Sequence, residues 1–130
     1  MTYKAKKERE RRERIEPTPA FFYEAEYIAR VDRWITFVKR KGQPKEAVAF
    51  GVNLSYSESL SLEPQWIPVK RYDCKHHRVE KHEYWISHHS RRVREWEDKP
   101  LMEVFELAKK DLESNFADYI TKMRQKRRRR

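Results

Sequence analysis

The run Asp98-Lys99-Pro100-Leu101-Met102-Glu103-Val104-Phe105 opens the element whose reading decides the fold. Proline near a first helical turn is tolerated because the N–H groups there have no intrahelical partner. Glu103 and Glu106 suit the positive end of a helix dipole. Downstream, Leu101, Phe105, Ala108, Leu112, Phe116, Tyr119 and Met123 recur at helical spacing. The pattern predicts a long amphipathic helix over roughly 101–125, with Lys122, Arg124 and Lys126 near its negative end. A helix striped on one side needs a surface to cover, and the segments upstream read as strands that supply it.

Ala47 to Tyr56 alternates Val48, Phe50, Val52, Leu54 and Tyr56 with polar or small residues, which is strand period. Gln65 to Asp73 is a second strand, and Val79 to Ile86 pairs with it. Residues 20–41 are ambiguous. Ala25, Tyr27, Ala29 and Val31 alternate, whereas Tyr27, Val31, Trp34 and Val38 also mark a helical stripe. Their aromatic and β-branched content favours two strands with a turn near Asp32-Arg33. Residues 4–16 alternate Lys/Arg with Glu and hold almost nothing apolar. The spacing predicts a solvated helix there, one that orders on a partner and ends at Pro17 and Pro19. The expected architecture is α+β: an antiparallel meander of about five strands, packed by the C-terminal helix. One domain over 17–123 would then carry basic extensions at 1–16 and 124–130.

Charge is segregated along the 130 residues, whose net formal charge is +10. Residues 2–15 carry seven Lys/Arg against three Glu, and residues 122–130 carry seven Lys/Arg and no acid. Inside the slightly acidic remainder, residues 70–94 hold eight basic residues and three acidic ones. Clustered cations favour a polyanion, because Lys and Arg gain affinity by releasing counterions from phosphates. RNA is expected ahead of DNA. No helix suited to a major groove is evident, and an aromatic-bearing sheet is a common RNA platform. No segment reaches the ~20 apolar residues of a membrane span, so no membrane partner is expected. The single Cys74 forms no internal disulfide, and the basic start lacks the apolar core of a secretory signal. A cytoplasmic location is expected, and few glycines with many charges fit a thermophile.

All five histidines fall between His76 and His89, just after Arg71-Tyr72-Asp73. If strand 65–73 pairs antiparallel with 79–86, joining apolar to apolar sets Ile67 opposite Ile86 and Val69 opposite Tyr84. Arg71 then faces His82, and Asp73 faces Glu80. Arg71, Asp73 and His82 would share an inner face that turns polar toward the hairpin end, with His76 and His77 on the turn above. The other face would show Trp66, Lys70, Tyr72, Lys81, Glu83 and Trp85.

Three readings of this hairpin compete. In the first, Arg71, Asp73, His77 and His82 are catalytic in metal-independent RNA cleavage, with His as acid or base and Arg holding phosphate. In the second, His77, His82 and Asp73 bind a metal, although their spacing matches no strong motif and no cofactor is required. In the third, the patch binds without chemistry. Lys70, Lys75, Arg78, Lys81, Arg91, Arg92 and Arg94 would contact phosphates, with Arg127, Arg128, Arg129 and Arg130 of the tail, while Trp66, Tyr72 or Trp85 stack on bases. Against it, Trp and Tyr on strands are ordinary core residues, and His88 to Arg94 would be a solvated loop or short helix.

Trp66-Ile67-Pro68-Val69-Lys70-Arg71-Tyr72-Asp73, followed by His76-His77 and His82, resembles small toxin proteins of the TumE type. The resemblance covers residues 48–120 in layout and 66–82 in motif. It implies an RNA-directed toxin with an antitoxin partner, using Arg71, Asp73, His77 and His82. The long basic tails are additional, and they equally suit a ribosomal or nucleoprotein component. A protein–protein module remains the third class of function.

Overall fold

The structure is a computed structural model that describes residues 10–59 and 62–129. It is α+β, as the alternating segments and the terminal helix led us to expect. Strands β1 (Glu10–Ile15), β2 (Ala20–Tyr23), β3 (Ile28–Arg40), β4 (Glu46–Ser57), β5 (Ile67–Lys75), β6 (Arg78–Glu83) and β7 (Arg91–Arg92) form one sheet, followed by helix α1 (Leu101–Arg128). Every pairing is antiparallel, and the order is β1-β3-β4-β5-β6-β7, with β2 also on β3. The seven strands exceed the five expected, because the N-terminal extension and Arg91–Arg92 each add one. No described helix is long and apolar enough to cross a membrane.

Three local readings are corrected. Residues 10–15 form a strand rather than a solvated helix, paired from Glu10↔Arg40 to Ile15↔Ile35. Its Arg and Glu side chains stay exposed while its backbone completes the ladder of β3. The remainder of the expected helix, residues 4–9, lies outside the described residues. Residues 28–40 are one strand, and the reversal falls before it, where Glu24 N–H donates to the Tyr27 carbonyl. Arg33 does not make a turn. It sits on the helix-facing side of β3 and reaches Glu113 at 3.5 Å. The helix also continues to Arg128, through most of the expected tail.

The hairpin register is borne out at its polar end, with Arg71↔His82 and Asp73↔Glu80. Beyond it, Val69 still faces Tyr84, whose N–H donates to the Val69 carbonyl at 3.1 Å, but the expected pairing of Ile67 with Ile86 fails. Strand β6 stops at Glu83, Ile86 N–H donates to the Glu83 carbonyl, and Ile86 is half exposed. The inner face is also the opposite one. A bulge skips Val69 in the pairing of β4 with β5, since Leu54 pairs with Lys70 and Ser55 with Pro68. A bulge adds one residue and reverses the alternation. Val69 therefore points inward, and so do Lys70, Tyr72 and Cys74 beyond it.

One face of the sheet is covered by α1. Ala29, Val31, Ile35, Phe50, Val52, Leu54, Tyr56, Tyr72, Cys74 and Val79 pack against Val104, Phe105, Ala108, Leu112 and Ile120. Within this layer, Asp111 is a polar node. Its carboxylate accepts from Tyr72 Oη at 2.6 Å, Tyr119 Oη at 2.6 Å, Asn115 Nδ2 at 2.9 Å and Lys70 Nζ at 3.1 Å. Burial alone would raise the Asp111 pKa. The hydrogen bonds from Tyr119 and Tyr72 and the Lys70 charge outweigh it and hold the carboxyl below its usual range.

Two outcomes follow from this node. Asp111→Ala leaves Lys70 buried without its closest partner and is expected to lower unfolding free energy by about 3 kcal/mol in urea titrations. A carboxyl whose folded pKa is depressed stabilises fully above its unfolded value and loses that contribution as pH falls through the folded value. Acid titration of the wild type should therefore lose stability below the ordinary Asp pKa of about 3.9, with a flatter profile in Asp111→Asn.

Candidate nucleic-acid interface

With α1 on one side, the opposite sheet face is uncovered. Its centre is built by Trp34 of β3, whose indole packs directly on Gly51 of β4. A Cβ at position 51 would lie 2.3 Å from the indole nitrogen, so only glycine lets the ring settle there. Arg14 of β1 lies over the Trp34 ring, 4.5 Å from its centroid. Beside it, Arg30 stacks over Trp66 at 4.2 Å, and Trp66 lies 6.1 Å from Phe21. Arg30 is held in turn by Asp32 at 3.0 Å. Phe21 and Tyr23 are exposed large aromatics of β2.

A pocket of about 460 Å³ opens on this face. Trp34, Arg14, Asn53 and Asp32 line it, and the segment Glu16 to Pro19 walls one side. Pro17 and Pro19 keep that segment out of the ladder, because a proline has no N–H to give it. The gap between β1 and β2 thus becomes a concavity rather than a continuous edge.

The same face continues to the hairpin that the sequence singled out. Arg71 Nε lies 3.4 Å from Asp73, and Arg71 faces His82 across the pair. Burial raises the Asp73 pKa against the lowering effect of Arg71, with Glu80 adding to the rise. His82 stacks on Tyr84 at 3.9 Å between ring centroids, and its Nε2 meets the Ser87 carbonyl at 3.1 Å. A carbonyl only accepts, so Nε2 carries the proton and Nδ1 is the free acceptor of neutral His82. His76 and His77 form the turn itself, with φ of 51° and 63°. Both are left-handed, as a two-residue hairpin loop requires, and both side chains are exposed. His77 therefore stands away from the Arg71–Asp73–His82 group. Among the described residues, no three His, Cys, Asp or Glu side chains are placed to hold a metal. His77, His82 and Asp73, the candidates named from the sequence, are therefore not brought together as a ligand set.

The expected binding residues divide by face. Lys75 and Arg78 flank the turn and are exposed, with Arg78 2.9 Å from Glu80. Arg91 and Arg94 are exposed, while Arg92 is held by Glu97 at 2.6 Å. Lys70 and Tyr72, each only 4% exposed, are bound to Asp111 beneath the helix. The reading of Lys70 as a phosphate contact and Tyr72 as a stacking platform is corrected accordingly. Lys81 lies on the helix side, 3.5 Å from Glu83. Trp85 stacks on Tyr119 at 5.4 Å and belongs to the helix packing. Arg127, Arg128 and Arg129 are exposed at the end of α1, and Arg130 lies outside the described residues.

Sequence reasoning missed Trp34, Arg14, Arg30 and Asn53. The available signal was Trp34 alternating with inward Ile35, which places it on the outer face once residues 28–40 are read as one strand. Gly51→Ala should force the indole off the sheet, costing about 1–3 kcal/mol and shifting tryptophan fluorescence to the red. An unshifted emission spectrum would show that Trp34 does not depend on Gly51.

Residues 22–129 match the family model described as a domain of unknown function, DUF7718. No curated protein and no solved structure matches the chain. The match spans most of the molecule, from β2 to the end of α1, and the chain belongs to the DUF7718 family.

Proposed function

We propose that this protein binds single-stranded nucleic acid, RNA in preference to DNA, through the open face of its sheet. The observation that supports this most is the pocket floored by Trp34 and lined by Arg14, Asn53 and Asp32. A base layers on an arginine plane or an aromatic ring irrespective of its sequence, while an amide and a carboxylate read its edge. Arg12, exposed on β1, supplies phosphate contact beside the pocket, and Arg71, Lys75 and Arg78 supply it toward the hairpin. A cytoplasmic setting suits the buried free thiol of Cys74.

A second reading is supported by the pairing of Arg71 with His82. In it the protein is a ribonuclease-like toxin whose partner is an antitoxin. Arg71 holds a phosphate and His82 Nδ1 takes a proton, with Asp73 orienting Arg71. Binding and cleavage use adjacent parts of one face, so a single experiment separates them.

Labelled single-stranded RNA is titrated by fluorescence anisotropy. Trp34→Ala and Trp66→Ala should each weaken binding about 5- to 150-fold, the equivalent of about 1–3 kcal/mol per stacked base. Arg12→Gln should reduce the slope of log affinity against log salt by about 0.7. Wild-type affinity in the Trp34→Ala/Trp66→Ala double variant would overturn the open-face reading. Cleavage of the RNA that disappears in His82→Ala would establish the ribonuclease.

A further inference from the structure

A second, separate pocket lies on the helix side, at the end of the sheet farthest from the His76-His77 turn. Its volume is about 320 Å³, and its walls are Glu58, Arg124, Arg127 and Arg128. The three arginines come from the last turns of α1, and Glu58 follows β4. Arg124 is firmly placed. It reaches Glu26 at 2.8 Å and lies 5.8 Å from the Tyr27 ring centroid. Its Nε lies 3.4 Å from Glu58 without hydrogen-bond geometry. Arg127 and Arg128 are exposed.

Tyr56 lies near the end of β4, two residues before Glu58, and its ring packs 6.2 Å from that of Tyr27, the ring beside Arg124. Tyr56 is 0% exposed, and its hydroxyl has no hydrogen-bond partner among the described residues. Burial raises the pKa of that hydroxyl, and the charged groups acting on it are Glu58, Arg127, Arg124 and Arg128. These are the four residues that line the pocket. A buried donor left unmade costs stability, and here it costs stability beside a cluster of cations. The helix dipole does not explain the cluster as an anion site, because its negative end lies here. Any anion must be held by the guanidinium groups and the hydroxyl.

We propose that this pocket is a phosphate-binding site for a phosphate monoester, clamped by Arg124, Arg127 and Arg128, with the Tyr56 hydroxyl also donating. Glu58 occupies the anion's place beside Arg124 in the free protein and swings aside on binding. Arginine forks match phosphate oxygens in pairs, and a charge-assisted bond from the hydroxyl satisfies the orphaned donor. The phosphate is either the terminal group of an RNA strand or that of a small phosphorylated molecule, and the recognition chemistry is the same. The pocket and the open face lie on opposite sides of the sheet, so this site does not rest on the open-face reading.

The test uses the full chain, with inorganic phosphate titrated against chloride at equal ionic strength and followed by thermal unfolding and calorimetry. Phosphate should raise the Tm of the wild type. Tyr56→Phe should unfold no earlier than wild type in chloride, since it removes an unpartnered polar group, yet lose about fivefold in phosphate affinity. The Arg127→Gln/Arg128→Gln variant should lose tenfold or more, on the order of a charge-assisted bond per side chain, and Glu58→Gln should bind more tightly. Oligonucleotides with a 5′-phosphate or a 5′-hydroxyl then identify the source. A preference for the phosphorylated strand assigns the site to RNA ends, and equal binding assigns it to a small phosphorylated molecule. Trp34→Ala keeps the response to inorganic phosphate, which separates failure of this site from failure of the open face. A Tm that phosphate does not raise above the chloride control, or undiminished phosphate affinity in Tyr56→Phe, would overturn the proposal.

Discussion

A carboxylate under the helix ties the two layers together. Asp111 takes hydrogen bonds from β5 through Lys70 and Tyr72, and from its own helix through Asn115 and Tyr119. Apolar contacts between a sheet and a helix are non-directional and allow sliding. Four donors converging on one carboxylate fix the rotation of α1 and its position along β5. Everything carried by the far end of the helix inherits that placement, including Arg124 and the arginines beyond it.

The same docking divides the protein chemically. Because one helix covers one face, aromatic and charged side chains of the other face face solvent in mixed pairs, Arg14 on Trp34 and Arg30 on Trp66. Such pairs gain cation–π attraction and keep the rings from forming a bare apolar patch. The His76-His77 turn adds a different signature. Two non-glycine residues with positive φ occupy a position that Asn-Gly fills more cheaply. That backbone conformation is disfavoured for both residues.

Much of this was legible in the sequence, and the exceptions have physical causes. The helix stripe from Leu101 to Met123, the β4 alternation and the Arg71–His82 pairing could be read because each depends on local periodicity. The single strand 28–40 was hidden by Arg33, a charged residue on the inward face whose guanidinium escapes to Glu113. The inward face of β5 was misassigned because the Val69 bulge reverses parity, and nothing in Pro68-Val69-Lys70 announces it. Strand β1 has no apolar pattern at all. Its conformation is set by the unpaired backbone of β3 and by cross-strand ion pairs such as Glu10 with Arg40. The Trp34 pocket needed residues 28–40 read as one strand and residues 10–15 read as β1 before its members could be placed on one surface.

Strands β1 and β2 lie end to end along the same side of β3, split by Pro17 and Pro19. No side chain of β1 is fully buried. Its attachment is therefore a six-residue zipper of backbone bonds and surface ions that can peel from one end without breaching the helix-packed interior. Once released, it leaves half of β3 as a vacant docking rail, open to any extended chain of suitable register, while β2 continues to seal the other half.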